Sequence, residues 1–287
     1  MVGEVAGSPV AQARDLFSLS GKTVLLTGAT GFLGRSIAQA LLAYDAEVIA
    51  LGRSERLDAL THKWCEEFGQ GRVRGYRVDM YNLGQLKSVL EQIRRHEGFI
   101  EVLINNAYEL GPQTGFNVPE GSLELATVEQ WMRNLTGGVY WAALTVQMLG
   151  EDMKQKGKGS IINIASMYSL VAPSPQLYEH TPFLNPPGYS ASKAALVALT
   201  RYIASFWGRY GIRANAISPG PFSNTEDRSP NAVKGHEEFL NRLKSRTCLG
   251  RIGKPDELQG AVLFLASDAS SYVTGINLVV DGGWTCL

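Results

Sequence analysis

The chain has 287 residues, of which 45% are hydrophobic and 19% charged, with Lys plus Arg and Asp plus Glu equal at 27 each. This composition supports a sizeable core and excludes disordered, collagen-like and coiled-coil chains. Balanced charge without a long like-charge block provides no field to gather nucleic acid or an anionic membrane surface, which leaves a small molecule as the expected partner.

The first twenty residues, MVGEVAGSPVAQARDLFSLS, lack a basic segment followed by an apolar core. No secretory signal is read there, and residues 1–20 are expected to form an arm ahead of one domain over 21–287. No apolar run approaches the length needed to span a bilayer. Cys65, Cys248 and Cys286 are an odd number, far apart, in no spacing that suits zinc or a redox pair. They read as reduced thiols in a cytosol.

From residue 23 short β-branched runs alternate with longer amphipathic stretches, the pattern of βαβ units and a parallel sheet. Strands are predicted over 23–28 (TVLLTG), 46–52, 72–79, 100–107, 159–166, 212–219 and in the closing INLVVDGG. Helices are predicted over 32–44, through RLDALTHKWCEEFG and LGQLKSVLEQIRRH, and as one long segment over 127–157. Another follows the turn NPPG at 185–188, and a last one follows GKPDEL. No linker or repeat divides the chain. The expected fold is a single doubly wound α/β domain of the Rossmann type, with helices on both faces of a mostly parallel, seven-stranded sheet. Its ligand crevice is expected at the carboxyl ends of the strands.

TGATGFLG lies between the first strand and the first helix, the context in which a glycine-rich loop binds a pyrophosphate. Gly28, Gly31 and Gly34 permit the tight turn, the close backbone approach and the close helix packing, and the helix N-terminus faces the phosphates. The second strand ends in ALGRS, with Gly52 where an acidic ligand for the ribose hydroxyls is expected and Arg53 next. The missing carboxylate and the added cation argue for NADP(H), with NAD(H) as the alternative if Arg53 is only a solvated loop cation.

Tyr189 and Lys193 are one helical turn apart and share a face. A tyrosine with an ordinary pKa of about 10 needs that value lowered by roughly three units to exchange protons near neutrality. A nearby ammonium favours the phenolate and contributes part of the shift. Spacing alone favours a surface pair, since YxxxK occurs by chance in many helices. Two further polar groups change the case: Ser166, at the end of INIASM, for holding a substrate oxygen, and Asn134, in WMRNLTGG.

With NNA at 105–107, NAISPG, GRIGKPDEL, FLASDASSYVTG and VTGINLVVDGG in order, the sequence resembles the short-chain dehydrogenase/reductase family over nearly all of residues 20–284. The resemblance implies Tyr189 as general acid/base, Lys193 as its pKa-lowering partner and nicotinamide-ribose ligand, Ser166 orienting the carbonyl, and Asn134 holding a relay water. It places Thr30 and Leu33 of the glycine loop, Ser54 beside Arg53, and Asp79 with Met80 around the cofactor. Asn106 and Ala107 take the ribose side, while Pro219, Gly220 and Phe222 flank the nicotinamide. A homotetramer, or a homodimer, is the implied assembly, and the extra apolar face of AALVALTRYIASFW fits a partner subunit.

Four positions depart from the family pattern. The glycine spacing is TGxxGxxG, as in longer epimerase-like members. NNAY replaces NNAG, so Tyr108 puts a large side chain beside the cofactor cleft, for function or for packing. An insertion over about 172–188 widens the serine-to-tyrosine interval. It makes Tyr178 the nearer tyrosine, but position 182 is proline where the lysine would be needed. The insertion offers Glu179 and His180 either as substrate contacts or as solvated loop residues. After PG, Asn224 stands where a threonine often meets the carboxamide, with Thr225 following. A further loop over about 221–250 is expected to close over the substrate.

These readings predict an NADP(H)-dependent oxidoreductase that interconverts a carbonyl and an alcohol, on a polar polyol- or sugar-like substrate suggested by Tyr108, Glu179 and His180. The alternatives are a 3-oxoacyl thioester reductase, an NAD-dependent sugar or polyol dehydrogenase, a sugar-nucleotide epimerase and a non-catalytic dinucleotide sensor. No metal site is read.

Overall fold

Runs such as Val24–Leu25–Leu26 and Val102–Leu103–Ile104 are fully buried in every residue, as strands covered on both faces must be. In the computed structural model, which describes residues 15–222 and 235–287, seven strands form the sheet. They are β1 (Thr23–Thr27), β2 (Glu47–Gly52), β3 (Val73–Arg77), β4 (Val102–Asn105), β5 (Gly159–Ile164), β6 (Ile212–Pro219) and β7 (Asn277–Val280). Their order is β3-β2-β1-β4-β5-β6-β7, and every pairing is parallel. Each strand lies within its predicted segment. The order reverses between β1 and β4, which opens a crevice at their carboxyl ends.

Alternation along the strands divides the core into two layers. Val24, Leu26, Val48, Ala50, Ile104 and Ile162 face one side. There they meet α1 (Phe32–Ala43), α2 (Arg56–Phe68) and α9 (Gln259–Ala266), through Ile37, Leu41, Trp64 and Val262. Leu25, Ile49, Leu103 and Ile161 face the other side. They pack on α3 (Leu83–His96), α5 (Trp141–Lys156) and the long α7 (Pro187–Trp207), through Leu86, Leu90, Leu144 and Ile203.

A buried polar ladder crosses this second layer. Asn105 donates to Asn163 at 2.8 Å on the paired strand, Thr145 of α5 donates to Asn105 at 2.8 Å, and Asn163 donates to Thr200 of α7 at 2.8 Å. Buried polar groups bonded in this way fix the helices in register with the strand ends. The ladder therefore sets where α7 presents its first turn.

The single helix predicted over 127–157 is three pieces: α4 (Val128–Leu135), a π-helical turn (Thr136–Tyr140), and α5. The cause is close packing against α7. A Cβ on Gly138 would lie 2.2 Å from the Ser192 hydroxyl oxygen, so Gly137–Gly138 lets the two helices touch while the extra residue is absorbed by the wider turn.

Leu19 is fully buried, and its N–H donates to the Tyr44 carbonyl at 2.8 Å, so core packing begins before residue 21. Residues 1–14 of the expected arm lie outside the described residues. So do residues 223–234 of the expected substrate loop, including Asn224 and Thr225, whereas its later part forms α8 (His236–Ser245). The thiols of Cys248 and Cys286, far apart in sequence, are exposed and free with their sulfurs 3.6 Å apart. No helix among the described residues is long and apolar enough to cross a membrane.

Candidate active site

A cleft of about 410 Å³ opens at the carboxyl ends of β1, β4, β5 and β6. Gly28, Thr30, Gly31, Leu33 and Gly34 line one end, with Arg53, Asp79 and Met80 beside them; Asn106, Ala107, Tyr108 and Glu109 follow, and Ser166, Tyr189, Lys193, Pro219, Gly220 and Phe222 line the other end. Ser54 is not among these lining residues; its hydroxyl accepts from the Arg56 N–H at 3.2 Å.

The glycine loop has the shape a pyrophosphate requires. Gly28 is left-handed at φ 68°, and a Cβ there would lie 2.8 Å from the Ala107 Cα. A Cβ on Gly34 would lie 2.1 Å from the Gly28 carbonyl oxygen. Asn106 secures the turn by donating to the Thr27 and Gly28 carbonyls at 3.1 and 3.2 Å, and the Thr27 hydroxyl oxygen accepts from the Asn106 and Ala107 N–H groups at 3.0 Å each. The bare backbone at the N-terminus of α1 is thus held open toward the cleft, and these residues fit a dinucleotide.

At the other end, Ser166 closes β5 and caps a short 3-10 turn by accepting from the Tyr168 N–H at 3.1 Å. Pro186–Pro187–Gly188 starts α7, whose first turns carry Tyr189 and Lys193. The Ser166 hydroxyl and the Tyr189 phenol line the same cleft, and Ser166 acts on the phenol in the direction that favours its ionised form. Lys193, 4% exposed, donates to the Ile164 carbonyl at 2.8 Å and lies 5.9 Å from the Tyr189 ring centroid.

Burial dominates both ionisations. It pushes the Tyr189 phenol up to about 12, against the lowering effect of Ser166 and with a small further rise from Tyr168. It also pushes the Lys193 amine down to about 7. Burial thus disfavours the charged form of both groups in the protein alone. The lowering of the tyrosine's pKa expected from the sequence does not come from the protein by itself, because desolvation outweighs the lowering effect of Ser166. A positive charge brought into the cleft acts in the lowering direction.

Asn134 ends α4 and is 1% exposed. Its amide donates to the Thr114 and Gln130 carbonyls at 2.9 and 2.7 Å, and its oxygen accepts from the Tyr108 hydroxyl. The side chain expected to hold a relay water is thus engaged by protein groups. Tyr108 fills the space between Asn134 and Lys193. Its ring meets the Tyr189 ring edge-on at 5.0 Å, and Phe116 packs on both at 6.3 and 5.2 Å.

The insertion forms the one-turn α6 (Pro175–Tyr178) and lies on α8, held there by Arg242, which donates to the carbonyls of Gln176 and Glu179 at 2.9 and 2.6 Å. Phe183 stacks on Phe239 at 4.5 Å. Glu179 and His180 are exposed and do not line the cleft, because this packing turns the end of α6 outward. The roof over Ser166 and Tyr189 is instead Met167, Tyr168, Leu177, Leu243 and Trp284, joined by Tyr178 and Phe239. Tyr178 is a roof residue whose hydroxyl shares a 3.0 Å hydrogen bond with that of Tyr168. No pattern around Trp284 marks it, since only tertiary packing brings the chain end here.

Arg53 has a partner that its local sequence does not reveal. Its guanidinium pairs with Glu109 at 2.8 Å, and Glu109 also binds Arg133 at 2.7 Å. Burial works against the Glu109 charge, but Arg133 and Arg53 together hold its carboxyl below the usual range. A carboxylate absent from the end of β2 therefore enters the cofactor cleft from the loop after β4.

A family model described as enoyl-(acyl carrier protein) reductase matches residues 28–285. Gluconate 5-dehydrogenase of Gluconobacter oxydans is 35% identical over 272 residues, covering 94% of this chain and 97% of the relative. A sorbose reductase of Candida albicans is 32% identical over 278 residues, covering 95% of this chain and 90% of the relative. The solved structure of a gluconate 5-dehydrogenase from Burkholderia cenocepacia, in complex with NADP and tartrate, superposes with a TM-score of 0.82 at 29% identity, covering 96% of this chain and 99% of that one.

Proposed function

The chain belongs to the short-chain dehydrogenase/reductase family, and on that premise we propose that it is an NADP(H)-dependent oxidoreductase interconverting a ketone and an alcohol on a sugar- or polyol-like substrate. The observation that carries this reading is the meeting of Ser166, Tyr189 and Lys193 in one cleft with the glycine loop. Relatives that act on gluconate and sorbose support the substrate class.

Bound dinucleotide supplies the hydride and, when oxidised, a positive charge. In reduction, Tyr189 gives its proton to the carbonyl oxygen, and oxidation reverses the transfer. Ser166 holds that oxygen beside the phenol. Lys193, fixed on the Ile164 carbonyl, stabilises the phenolate left behind. The buried site strengthens these contacts by excluding water.

Arg53 is the proposed ligand of the 2′-phosphate, in competition with Glu109. Replacing Arg53 with Ala is expected to raise the Kd for NADPH by roughly 10- to 100-fold, as loss of a charge-assisted hydrogen bond predicts, and to leave NADH nearly unchanged. Glu109→Gln is expected to tighten NADPH several-fold by releasing Arg53. Fluorescence titration reads both, and equal weakening of the two cofactors by Arg53→Ala would remove the phosphate assignment.

A panel of ketoses, sugar keto-acids and 3-oxoacyl thioesters tests the substrate class. Turnover of thioesters alone would favour the thioester reductase. We place a homotetramer on the same reading, with the exposed stacked pair Tyr202 and Phe206 of α7 as part of the subunit contact. Light scattering decides it, and a monomer would remove it.

A further inference from the structure

Tyr108 puts a large side chain between Asn134, Lys193 and Tyr189, at a position where the resemblance calls for glycine. Three of its contacts run in different directions. The Lys193 amine lies over its ring face, 4.9 Å from the centroid and within the range of a cation–π interaction. Its ring edge meets Tyr189 at 5.0 Å. Its hydroxyl donates to Asn134. A residue that only filled space would need none of this polar anchoring.

We propose that Tyr108 is a positioning residue that acts through Lys193: its ring face holds the ammonium beside the catalytic tyrosine, and its hydroxyl, tied to Asn134, fixes the ring in place. This rests on the reading of Tyr189 as the proton-transferring group.

The surroundings of Lys193 leave few other groups to do this. From β5 and its end the Ile164 carbonyl and Ser166 face it, from α7 Tyr189, and from the loop after β4 Tyr108 itself. Beyond Tyr189 stand the uncharged Tyr168 and Tyr178. Glu109, next in sequence to Tyr108, is occupied by Arg53 and Arg133. Burial alone accounts for the lowered amine, so no carboxylate offsets it. A π face is then the available means of favouring the charged form.

The sign follows directly. Cation–π contact stabilises the ammonium and raises its pKa, so removing the ring lowers it further. A lysine discharged at neutral pH stabilises the phenolate less, and Tyr189 then ionises at higher pH. Tyr108→Leu is expected to lower the Lys193 titration midpoint by about one unit. It should also move the acidic limb of the alcohol-oxidation pH profile, on which activity rises as Tyr189 loses its proton, to higher pH by a similar amount. Tyr108→Phe keeps the ring face and is expected to restore both midpoints, while losing a few-fold in kcat because the ring is no longer tied to Asn134.

The experiment follows the Lys193 Cε signal by NMR in protein carrying isotope-labelled lysine, assigned against Lys193→Arg, together with the pH profile of each variant. Thermal melting establishes that the variants fold, and Tyr108→Met replaces the Leu variant if it does not. An unshifted midpoint in the non-aromatic variants overturns the proposal, and so does a Phe variant that shifts as far as Leu. The NMR midpoint is read without cofactor or substrate. A wild-type protein with no turnover would therefore sink the oxidoreductase reading while leaving this measurement decisive.

Discussion

Tyr189→Phe is expected to lower turnover by about a thousandfold or more, at the upper end of what a general acid contributes, with the Kd for NADPH changed less than twofold. The phenylalanine ring keeps the edge-on contacts with Tyr108 and Phe116, so the wall of the cleft survives. The phenol hydroxyl is lost, and with it its interaction with Ser166 and the proton delivered to the carbonyl oxygen. Cofactor titration, thermal melting and single-turnover kinetics on one preparation separate the outcomes. Loss of kcat with intact binding and melting assigns the proton transfer to Tyr189. Unchanged turnover would remove that assignment, and loss of all three would mean that the hydroxyl maintains the structure.

Gly34→Ala should produce a comparably large effect at the other end of the cleft by a different route. The added Cβ would lie 2.1 Å from the Gly28 carbonyl oxygen, a backbone atom with no rotamer to change. Either α1 moves away from β1 or the loop changes shape. Overpacking of this kind typically destabilises by about 1–3 kcal/mol. The loop that must approach the pyrophosphate would no longer do so, and NADPH affinity is expected to fall at least about a hundredfold, the equivalent of roughly 2.7 kcal/mol. Gly260→Ala is the control, because a Cβ there meets nothing within 4 Å on α9. It should be neutral or slightly stabilising, as alanine is favoured over glycine in a helix. Normal NADPH binding by Gly34→Ala would contradict the account of the loop.

Much of the fold was legible because a parallel sheet buried on both faces imposes a local signature. Largely apolar runs such as TVLLT and GSIINI fit strands buried on both faces, and the amphipathic stretches between them match helices lying on the sheet. The order of motifs along the chain carried Ser166, Tyr189 and Lys193, since all three sit at the ends of elements that the pattern locates. What local reading missed depends on contacts between distant segments. The partner of Arg53 is Glu109, on a loop beyond two further strands, and no pattern at the end of β2 encodes it. The π-helical turn after Asn134 arises from the approach of Gly138 to Ser192 on another helix. Glu179 and His180 read as mouth residues from their place in the insertion, yet the carbonyls around them are captured by Arg242 and the segment turns outward. Trp284 reaches the roof only because the chain end folds back over it.

The depressed Lys193 amine and elevated Tyr189 phenol also recast the role of the tyrosine–lysine pair. In the protein alone burial disfavours the charged form of both groups, so a charge entering the cleft is what favours the phenolate. Charge brought by an oxidised cofactor acts on a phenol already shielded from water, where it has its largest effect.

The measurement that tests the central claim most directly is NADPH consumption, followed by nicotinamide absorbance, across a panel of ketoses and sugar keto-acids, with the alcohol products identified by NMR. The account predicts stoichiometric reduction of at least one keto-sugar to its polyol or hydroxy-acid by the wild type, and none by Tyr189→Phe. Absence of keto-sugar reduction by a wild-type protein that binds NADPH, or equal reduction by both proteins, would contradict it.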